Sequence, residues 1–200
     1  MSNYRIYSGV QLWPQSIIED YCVIGVPPRG ASEGEIETVL GSEAHVRSHT
    51  GIYAGNVIGN SFQTGNKVNI RELNRIGNNV SVGTLSVIEH HVEIGNNVRI
   101  HSRAFIPEFS VLEDDSWLGP NVVLTNAKYP LSRGGKESLK GPRIKRGAKI
   151  GANATILPGV VIGENALVGA GAVGVKDVPA GTVAAGNPAR FIRQLSDLPY

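Results

Sequence analysis

An aliphatic side chain recurs at every sixth residue through most of this 200-residue chain. From Ile70 to Leu124 every sixth position is Ile, Val or Leu without interruption. Extending the count both ways, with breaks in register after Ile24 and after Leu124, gives 24 positions, of which only Thr64 is not Ile, Leu or Val. A period of six fits neither a free α-helix, at about 3.6 residues per turn, nor a single strand, at about two. The pattern therefore predicts a repeat protein.

Short repeats of this kind are typical of a parallel β-solenoid. Three hexads would close one triangular coil, so residues 18 apart would stack at one strand spacing, roughly 4.8 Å. The first and fifth residues of each hexad are predicted to point inward. The second to fourth residues, such as the Gly-Asn-Asn runs after Ile76 and Ile94, are predicted to form corners where Gly and Asn tolerate left-handed backbone. We expect one all-β domain over residues 1–200.

Three stretches leave the hexad register. The run PPRGASEGE after the first four hexads reads as an excursion between coils, because it is rich in Pro, Gly and acidic residues. A second gap, about 125–143, is predicted to be a long protruding loop, which in a compact solenoid is commonly functional. Residues of about 174–200 are predicted to cap the open end of the solenoid and to form a tail.

Charge is unevenly distributed along the chain. The formal net charge is +2, yet residues 125–200 carry eleven Lys and Arg against four Asp and Glu. This predicts a polyanion site in the second part of the chain. Nucleic acid is not the expected partner, because the cations are not interleaved with aromatic residues. The basic residues in or beside the long loop are Lys128, Arg133, Lys136, Lys140, Arg143, Lys145, Arg146 and Lys149, with Glu137 the acidic exception.

The location of the protein is predicted from what the sequence does not contain. Cys22 is its single cysteine, so no intrachain disulfide can form. The first residues lack the basic start and apolar stretch of a signal peptide, and no apolar run approaches membrane-spanning length. We expect a cytoplasmic protein without a membrane span.

Stacking by 18 residues places one set of polar side chains in a column. The third positions of four successive hexads are Glu72, His90, Glu108 and Asn126, and the column ends at the base of the long loop. His90, Glu108 and Asn126 are predicted to lie within hydrogen-bond reach of one another. We assign these three residues as the catalytic candidates.

The hexads resemble those of the hexapeptide-repeat acyltransferases. The resemblance rests on IGNNVS, IGNNVR, IGANAT, IGENAL and VGAGAV, and on the terminal run KDVPAGTVAAGNPAR. It implies a left-handed parallel β-helix that is usually a homotrimer, with acetyl-CoA as co-substrate bound between subunits. It also implies backbone contacts to coenzyme A at Ala152 and Ala170, and phosphate contacts from Lys176, Arg190 and Arg193.

Residues 94–130 are most similar to the branch that N-acylates amino sugars carried on nucleotides, where an EDD…GP…V.TN…P run is typical. That likeness implies a sugar pocket lined by His101, Ser102, Arg103, Glu108, Asn121 and Asn126. The sequence departs from the branch at Ser102 and Arg103, where Asn is frequent. Within the loop, we expect Lys128 and Tyr129 to contact substrate.

The long loop lacks a histidine that the O-acetylating branch of the family usually carries. That branch has a catalytic His just before a Pro at the start of the loop, whereas this chain reads Ala-Lys-Tyr-Pro at 127–130. An alcohol needs a base to attack a thioester, whereas an amine is partly free base near neutrality and can attack once it is held in place. We therefore predict direct attack by a substrate amine, with a backbone amide near Ala152 or a group of a neighbouring chain stabilising the oxyanion. His90, oriented by Glu108, is the candidate base if one is used.

Other functions stay open at this point. An O-acetyltransferase acting on a sugar or small alcohol is the main alternative, and a non-enzymatic scaffold is another. The γ-type carbonic anhydrases share the fold, but zinc needs three converging ligands, and His101 falls in a different column from His90 and His91. No metal is expected. Trp117 is predicted either to stack on a nucleobase or to fill a gap between subunits.

Overall fold

The computed structural model describes residues 3–135 and 137–199 and consists of short strands joined by tight turns. The first nine strands are β1 (Arg5–Ile6), β2 (Val10–Leu12), β3 (Ile17–Ile18), β4 (Val23–Val26), β5 (Thr38–Leu40), β6 (His45–Val46), β7 (Gly51–Tyr53), β8 (Val57–Ile58) and β9 (Gln63–Thr64). The next nine are β10 (Asn69–Ile70), β11 (Arg75–Ile76), β12 (Ser81–Val82), β13 (Val87–Ile88), β14 (Glu93–Ile94), β15 (Arg99–Ile100), β16 (Phe105–Ile106), β17 (Val111–Leu112) and β18 (Trp117–Leu118). The last nine are β19 (Val123–Leu124), β20 (Arg143–Ile144), β21 (Lys149–Ile150), β22 (Thr155–Ile156), β23 (Val161–Ile162), β24 (Leu167–Val168), β25 (Val173–Gly174), β26 (Thr182–Ala185) and β27 (Arg190–Gln194), followed by a 3₁₀ turn at Leu195–Asp197.

Every third strand belongs to the same sheet, so the chain winds as a left-handed parallel β-helix with three faces. Sheet A contains β1, β4 and every third strand to β25, and sheet B contains β2, β5 and every third strand to β23. Sheet C contains β3, β6 and every third strand to β24, and then β26 and β27. The register is 18 residues per coil, as in the pairing of Ile70 with Ile88. The predicted fold class is confirmed.

The aliphatic ladder fills the interior of this prism. From Ile24 to Val168 every ladder residue is 4% exposed or less, including Thr64. The fifth residues of the hexads, such as Val80 and Val98, are also buried. Burial of apolar surface is thus continuous along the axis, and this burial is the main stabilising contribution to the fold.

The first coil keeps the register but lies at an open end. Ile6 pairs with Ile24 and Leu12 pairs with Leu40, yet Ile6 and Leu12 are 38% and 39% exposed. No coil precedes them, so their inward faces have only one neighbouring layer. The interior position of a hexad therefore guarantees burial only when coils lie on both sides.

One polar cluster ties this first coil to the next. The Glu19 carboxylate accepts hydrogen bonds from the backbone amide and hydroxyl of Ser48 at 3.0 and 2.9 Å. It also contacts His45 Nε2 at 2.9 Å and Arg47 Nη1 at 3.5 Å. These partners, led by the Ser48 hydrogen bonds, lower the pKa of Glu19 to about 2. The sequence analysis did not identify this cluster.

The corners solve two different steric problems. Asn79 adopts a positive φ of 54°, as predicted, but Leu73 and Phe109 occupy the same hexad position with φ of 63° and 64°. Glycine at the second position is not left-handed, so that part of the prediction was wrong. A Cβ added to Gly77 would lie 2.7 Å from the carbonyl carbon of Gly95. Glycine is required there because the next coil passes too close for any side chain.

The three breaks in register are insertions or additions to the helix. Residues 27–37 protrude between β4 and β5, and residues 125–142 form the long loop between β19 and β20. Pairing resumes afterwards in phase, with Leu112 opposite Ile144. At the C-terminal end, β26 runs parallel to β24 and β27 returns antiparallel to β26, which caps sheet C.

Candidate functional site

Three corner columns, one between each pair of sheets, display the polar residues. Corner AB links sheet A to sheet B and includes His90, and corner CA links sheet C to sheet A and includes Ser102. Corner BC links sheet B to sheet C and includes Asp114. Side chains in one column lie 18 residues apart, except across the insertions. The long loop leaves from corner AB.

The three catalytic candidates meet in corner AB. His90 Nε2 lies 3.1 Å from Glu108 Oε1, and Asn126 Nδ2–H donates to the other carboxylate oxygen of Glu108. His90 and Glu108 are about one-quarter exposed, at 28% and 25% of their side-chain surfaces. The predicted geometry of the column is therefore confirmed, whereas the chemical role of its residues stays a prediction.

A second carboxylate flanks His90 on the preceding coil. Burial raises the pKa of Glu72, but the hydrogen bond and charge of Arg71, together with the charge of His90, lower it by more, so its net shift is downward. Arg71 Nε donates to Glu72 Oε2 at 2.9 Å, and its Nη1 lies 3.7 Å from Glu89 Oε2. An anionic layer, held by Arg71, thus lies beside the imidazole.

Two exposed rings complete this part of corner AB. His90 Nδ1 and His91 Nδ1 are 2.7 Å apart, so one of these nitrogens donates to the other. The Phe109 ring centroid is 5.8 Å from that of His91 and 6.3 Å from that of His90. The 18-residue stacking signals both residues, since they occupy successive positions of the neighbouring column, but the site prediction did not include them.

The predicted sugar-binding residues lie elsewhere in the chain. His101, Ser102, Arg103 and Asn121 occupy corner CA, on the opposite edge of sheet A from His90. They form one column, as the bond from Asn121 N to Ser102 O at 2.9 Å shows. Within one chain the structure therefore does not bring them together with the catalytic candidates.

The base of the long loop is anchored at the catalytic column, because Lys140 N donates to Asn126 O at 3.0 Å. Lys128 Nζ lies 5.5 Å from the centre of the Tyr129 ring, and that ring is largely in solvent. Both predicted loop contacts thus face outward near corner AB. Lys136 lies outside the described residues.

Part of the predicted basic group is neutralised at a distance from the loop. Arg143 Nη1 and Lys145 Nζ lie 3.0 and 2.9 Å from the Glu113 carboxylate. Burial raises the pKa of Glu113, but the hydrogen bonds and charges of these cations outweigh it and leave the pKa low. Arg143 and Lys145 therefore do not contribute to a free cationic surface at the loop.

The predicted coenzyme residues fall into two groups. Ala152 and Ala170 stack in corner CA, where Ala152 O accepts from Gly171 N at 2.8 Å. Lys176 and Arg190 line a groove of about 300 Å³ beside Phe191, between the 175–180 segment and the β26–β27 hairpin. Arg193 lies on β27 opposite Val183, outside that groove.

Two further properties were searched over residues 3–135 and 137–199. No helix in these ranges has the length and apolar character to cross a bilayer. The same ranges contain no cluster of three or more His, Cys, Asp and Glu side chains arranged to hold a metal ion.

Known proteins match this chain in its repeats. The family model for the bacterial transferase hexapeptide (six repeats) matches residues 75–108 and 141–173. The 2,3,4,5-tetrahydropyridine-2,6-dicarboxylate N-acetyltransferase of Staphylococcus aureus strain bovine RF122 / ET3-1 is 59% identical over 49 residues, or 24% of this chain and 20% of that protein. The galactoside O-acetyltransferase of Escherichia coli strain K12 is 38% identical over 88 residues, or 42% of this chain and 43% of that protein. The matches span less than half of either relative.

A solved structure matches nearly the whole chain. The UDP-N-acetylglucosamine acyltransferase of Francisella novicida superposes with a TM-score of 0.71 at 16% identity, covering 98% of this chain and 71% of that one. At this identity the likeness shows a shared fold.

Proposed function

Because the chain belongs to the bacterial transferase hexapeptide-repeat family, we propose that it transfers an acetyl group from acetyl-CoA to the amine of a nucleotide-linked amino sugar. Both curated relatives described above are acetyltransferases, one acting on nitrogen and one on oxygen. The observation that carries the proposal is the bonded column of His90, Glu108 and Asn126 at the foot of the long loop. The reducing environment that suits the buried Cys22 thiol agrees with work in the cytoplasm.

The column can hold an amine by its hydrogens. The Glu108 carboxylate already accepts from Asn126 and from His90, and its remaining lone pairs can accept from a substrate N–H. The free-base amine attacks the thioester carbonyl, a C–N bond forms, and the C–S bond breaks as the thiolate leaves. The proton released by nitrogen passes to the thiolate through solvent or through His90. Orientation supplies most of the rate in this scheme.

A backbone donor for the oxyanion is available in corner CA. At the equivalent position of an earlier coil, Asn66 N–H donates to Thr84 Oγ1, 18 residues on, at 3.2 Å. The residue that follows Ala152 by 18 is Ala170, whose methyl group cannot accept a hydrogen bond. Among the described residues the Ala152 amide has no such partner, which supports its use as an oxyanion donor.

Coenzyme A fits the groove at the C-terminal hairpin by chemistry. Lys176 and Arg190 are cations suited to its phosphates, and Phe191 is an exposed ring suited to its adenine. The small residues Ala152 and Ala170 leave the corner backbone open to the pantetheine arm. Bound there, the thioester supplies the acyl group.

We propose a homotrimer in which the site is completed by a neighbouring copy. The outward residues of sheet A include Val87, Phe105, Val123 and Val173, and no outward position of this sheet from β4 to β25 is charged. The two halves of the predicted site lie on opposite edges of this apolar face, in corners AB and CA. Packing of sheet A against another copy could bring corner AB of one chain to corner CA of the next.

A second function is favoured by a specific observation. Because Glu108 accepts from His90 Nε2, the other ring nitrogen is left to take a proton, which is the arrangement an alcohol acceptor requires. An O-acetyltransferase acting on a sugar is therefore the alternative. Its base nitrogen, Nδ1, contacts His91 in this structure, so His91 would have to turn away before catalysis.

The test is thiol release from acetyl-CoA with matched acceptors. We expect turnover with at least one UDP-, GDP- or dTDP-linked amino sugar and none with the same sugar carrying a hydroxyl in place of the amine. Release with galactosides or other hydroxyl acceptors alone would favour O-acetylation. Absence of release with every acceptor would contradict both functions.

A further inference from the structure

A polar groove on sheet C lies apart from the catalytic column and from the hairpin groove. It has a volume of about 270 Å³, and its lining includes the side chains of Gln63, Ser81, Arg99, His101 and Ser102. It begins at corner CA and extends over β15, β12 and β9, towards the N-terminal end of the helix.

The groove is rich in unused hydrogen-bonding groups. Among the described residues, the Gln63 amide and the Ser81 and Ser102 hydroxyls have no side-chain hydrogen-bond partner. Gln63, Ser81 and Arg99 are consecutive partners in the β9–β12–β15 ladder, so their side chains follow one line on the same face. Together these groups offer donors and acceptors along a path several coils long.

Its electrostatic character favours an anion. The lining contains no carboxylate. The Arg99 guanidinium donates to the backbone oxygen of Asn79 and, at 3.1 Å, to its side-chain oxygen. Both acceptors are neutral, so these bonds fix the orientation of Arg99 but leave its charge uncompensated. A fixed, uncompensated guanidinium beside a groove is suited to phosphate.

An aromatic pair closes the end of the groove. Trp117 follows Arg99 in the same ladder, and its ring centroid is 4.7 Å from that of His101. A planar base can stack on such a surface while its edge bonds to neighbouring polar groups. The Trp117 side chain is only partly buried, so one face remains available.

We propose that this groove binds the nucleoside diphosphate of the acceptor, with the base against Trp117 and His101 and the phosphates at Arg99. The inference rests on the proposed function and names the part of the substrate that the catalytic column does not hold. Ser102 and Ala152 lie two coils apart in corner CA, roughly 10 Å at the usual strand spacing. A nucleotide-linked sugar is long enough to reach from the groove to the acyl group.

Binding can be measured without acetyl transfer. In Trp13→Phe protein the remaining fluorescence comes from Trp117, and UDP, GDP and dTDP are titrated separately, with isothermal calorimetry on the wild-type chain. We expect at least one nucleotide to quench Trp117 and to bind about tenfold more weakly to Arg99→Ala, because one charge-assisted contact is lost. Arg75→Ala is the matched control, since Arg75 holds the equivalent outward position on sheet B, and we expect its affinity to equal that of wild type.

The outcomes separate this inference from the proposed function. Nucleotide binding that depends on Arg99, without any acetyl transfer, would support the groove and contradict the proposed activity. Acetyl transfer to an amino sugar with no nucleotide binding, or with binding insensitive to Arg99, would overturn the groove assignment and leave the activity standing. Binding of a neutral oligosaccharide in place of every nucleotide would also overturn it. Circular dichroism of Arg99→Ala verifies that the variant is folded.

Discussion

Replacement of His90 by Asn distinguishes direct attack by an amine from base catalysis. Asn keeps a polar side chain in corner AB but cannot take a proton, and it loses the 3.1 Å contact between His90 and Glu108. If the amine attacks as its free base, His90 only positions Glu108. We then expect kcat to fall by less than about tenfold, because one quarter-exposed hydrogen bond contributes about 1 kcal/mol.

Base catalysis predicts a much larger effect of the same change. Removal of a general base typically lowers the rate by about 10² to 10⁴. The measurement is kcat and KM for the amino-sugar acceptor, by thiol release at saturating acetyl-CoA. His49→Asn is the control, because His49 is an exposed corner histidine that stacks on Tyr21 in an early coil.

A pH series makes the distinction sharper. With direct attack, the profile of kcat/KM follows the amine of the acceptor, so wild type and His90→Asn should share it. A loss of kcat above about a thousandfold without a change in acceptor KM would refute direct attack, and so would an acidic limb that only the wild type shows.

Three other outcomes follow from the packing and charge of the molecule. Ile88→Ala should lower the free energy of unfolding by about 2–5 kcal/mol, whereas Ile6→Ala at the open end should cost about 1 kcal/mol or less, as urea denaturation will show; equal losses would contradict the stacked-coil argument. Glu19→Gln should destabilise the chain near neutral pH, and because the pKa of Glu19 is lowered to about 2, the difference from wild type should shrink as pH falls from about 4.5 towards about 2 in thermal melts; a constant difference would count against this carboxylate. Arg190→Ala should raise KM for acetyl-CoA about five- to tenfold without changing acceptor KM, while Arg193→Ala, outside the groove, should change neither; equal effects would contradict the hairpin groove.

The candidate site was predictable wherever it depended on stacking. Once the period of six is recognised, residues 18 apart become neighbours, so His90, Glu108 and Asn126 could be placed in one column from spacing alone. The same arithmetic also stacks His91 with Phe109. Partners between columns could not be predicted in this way. The contacts of Arg71 with Glu72 and Glu89 depend on rotamers, which a repeat pattern does not specify.

The sequence by itself determined the helix, its interior and its corner columns, because a strictly periodic chain has one way to bury its aliphatic face. Only the tertiary structure decided which polar groups are free. Arg143 and Lys145 are neighbours of the basic loop in sequence, yet they pair with Glu113 on another corner. Arg99, which the sequence left unremarked, points its uncompensated charge at a groove. Charge pairing depends on distances across coils and insertions, and those distances exist only once the chain is wound.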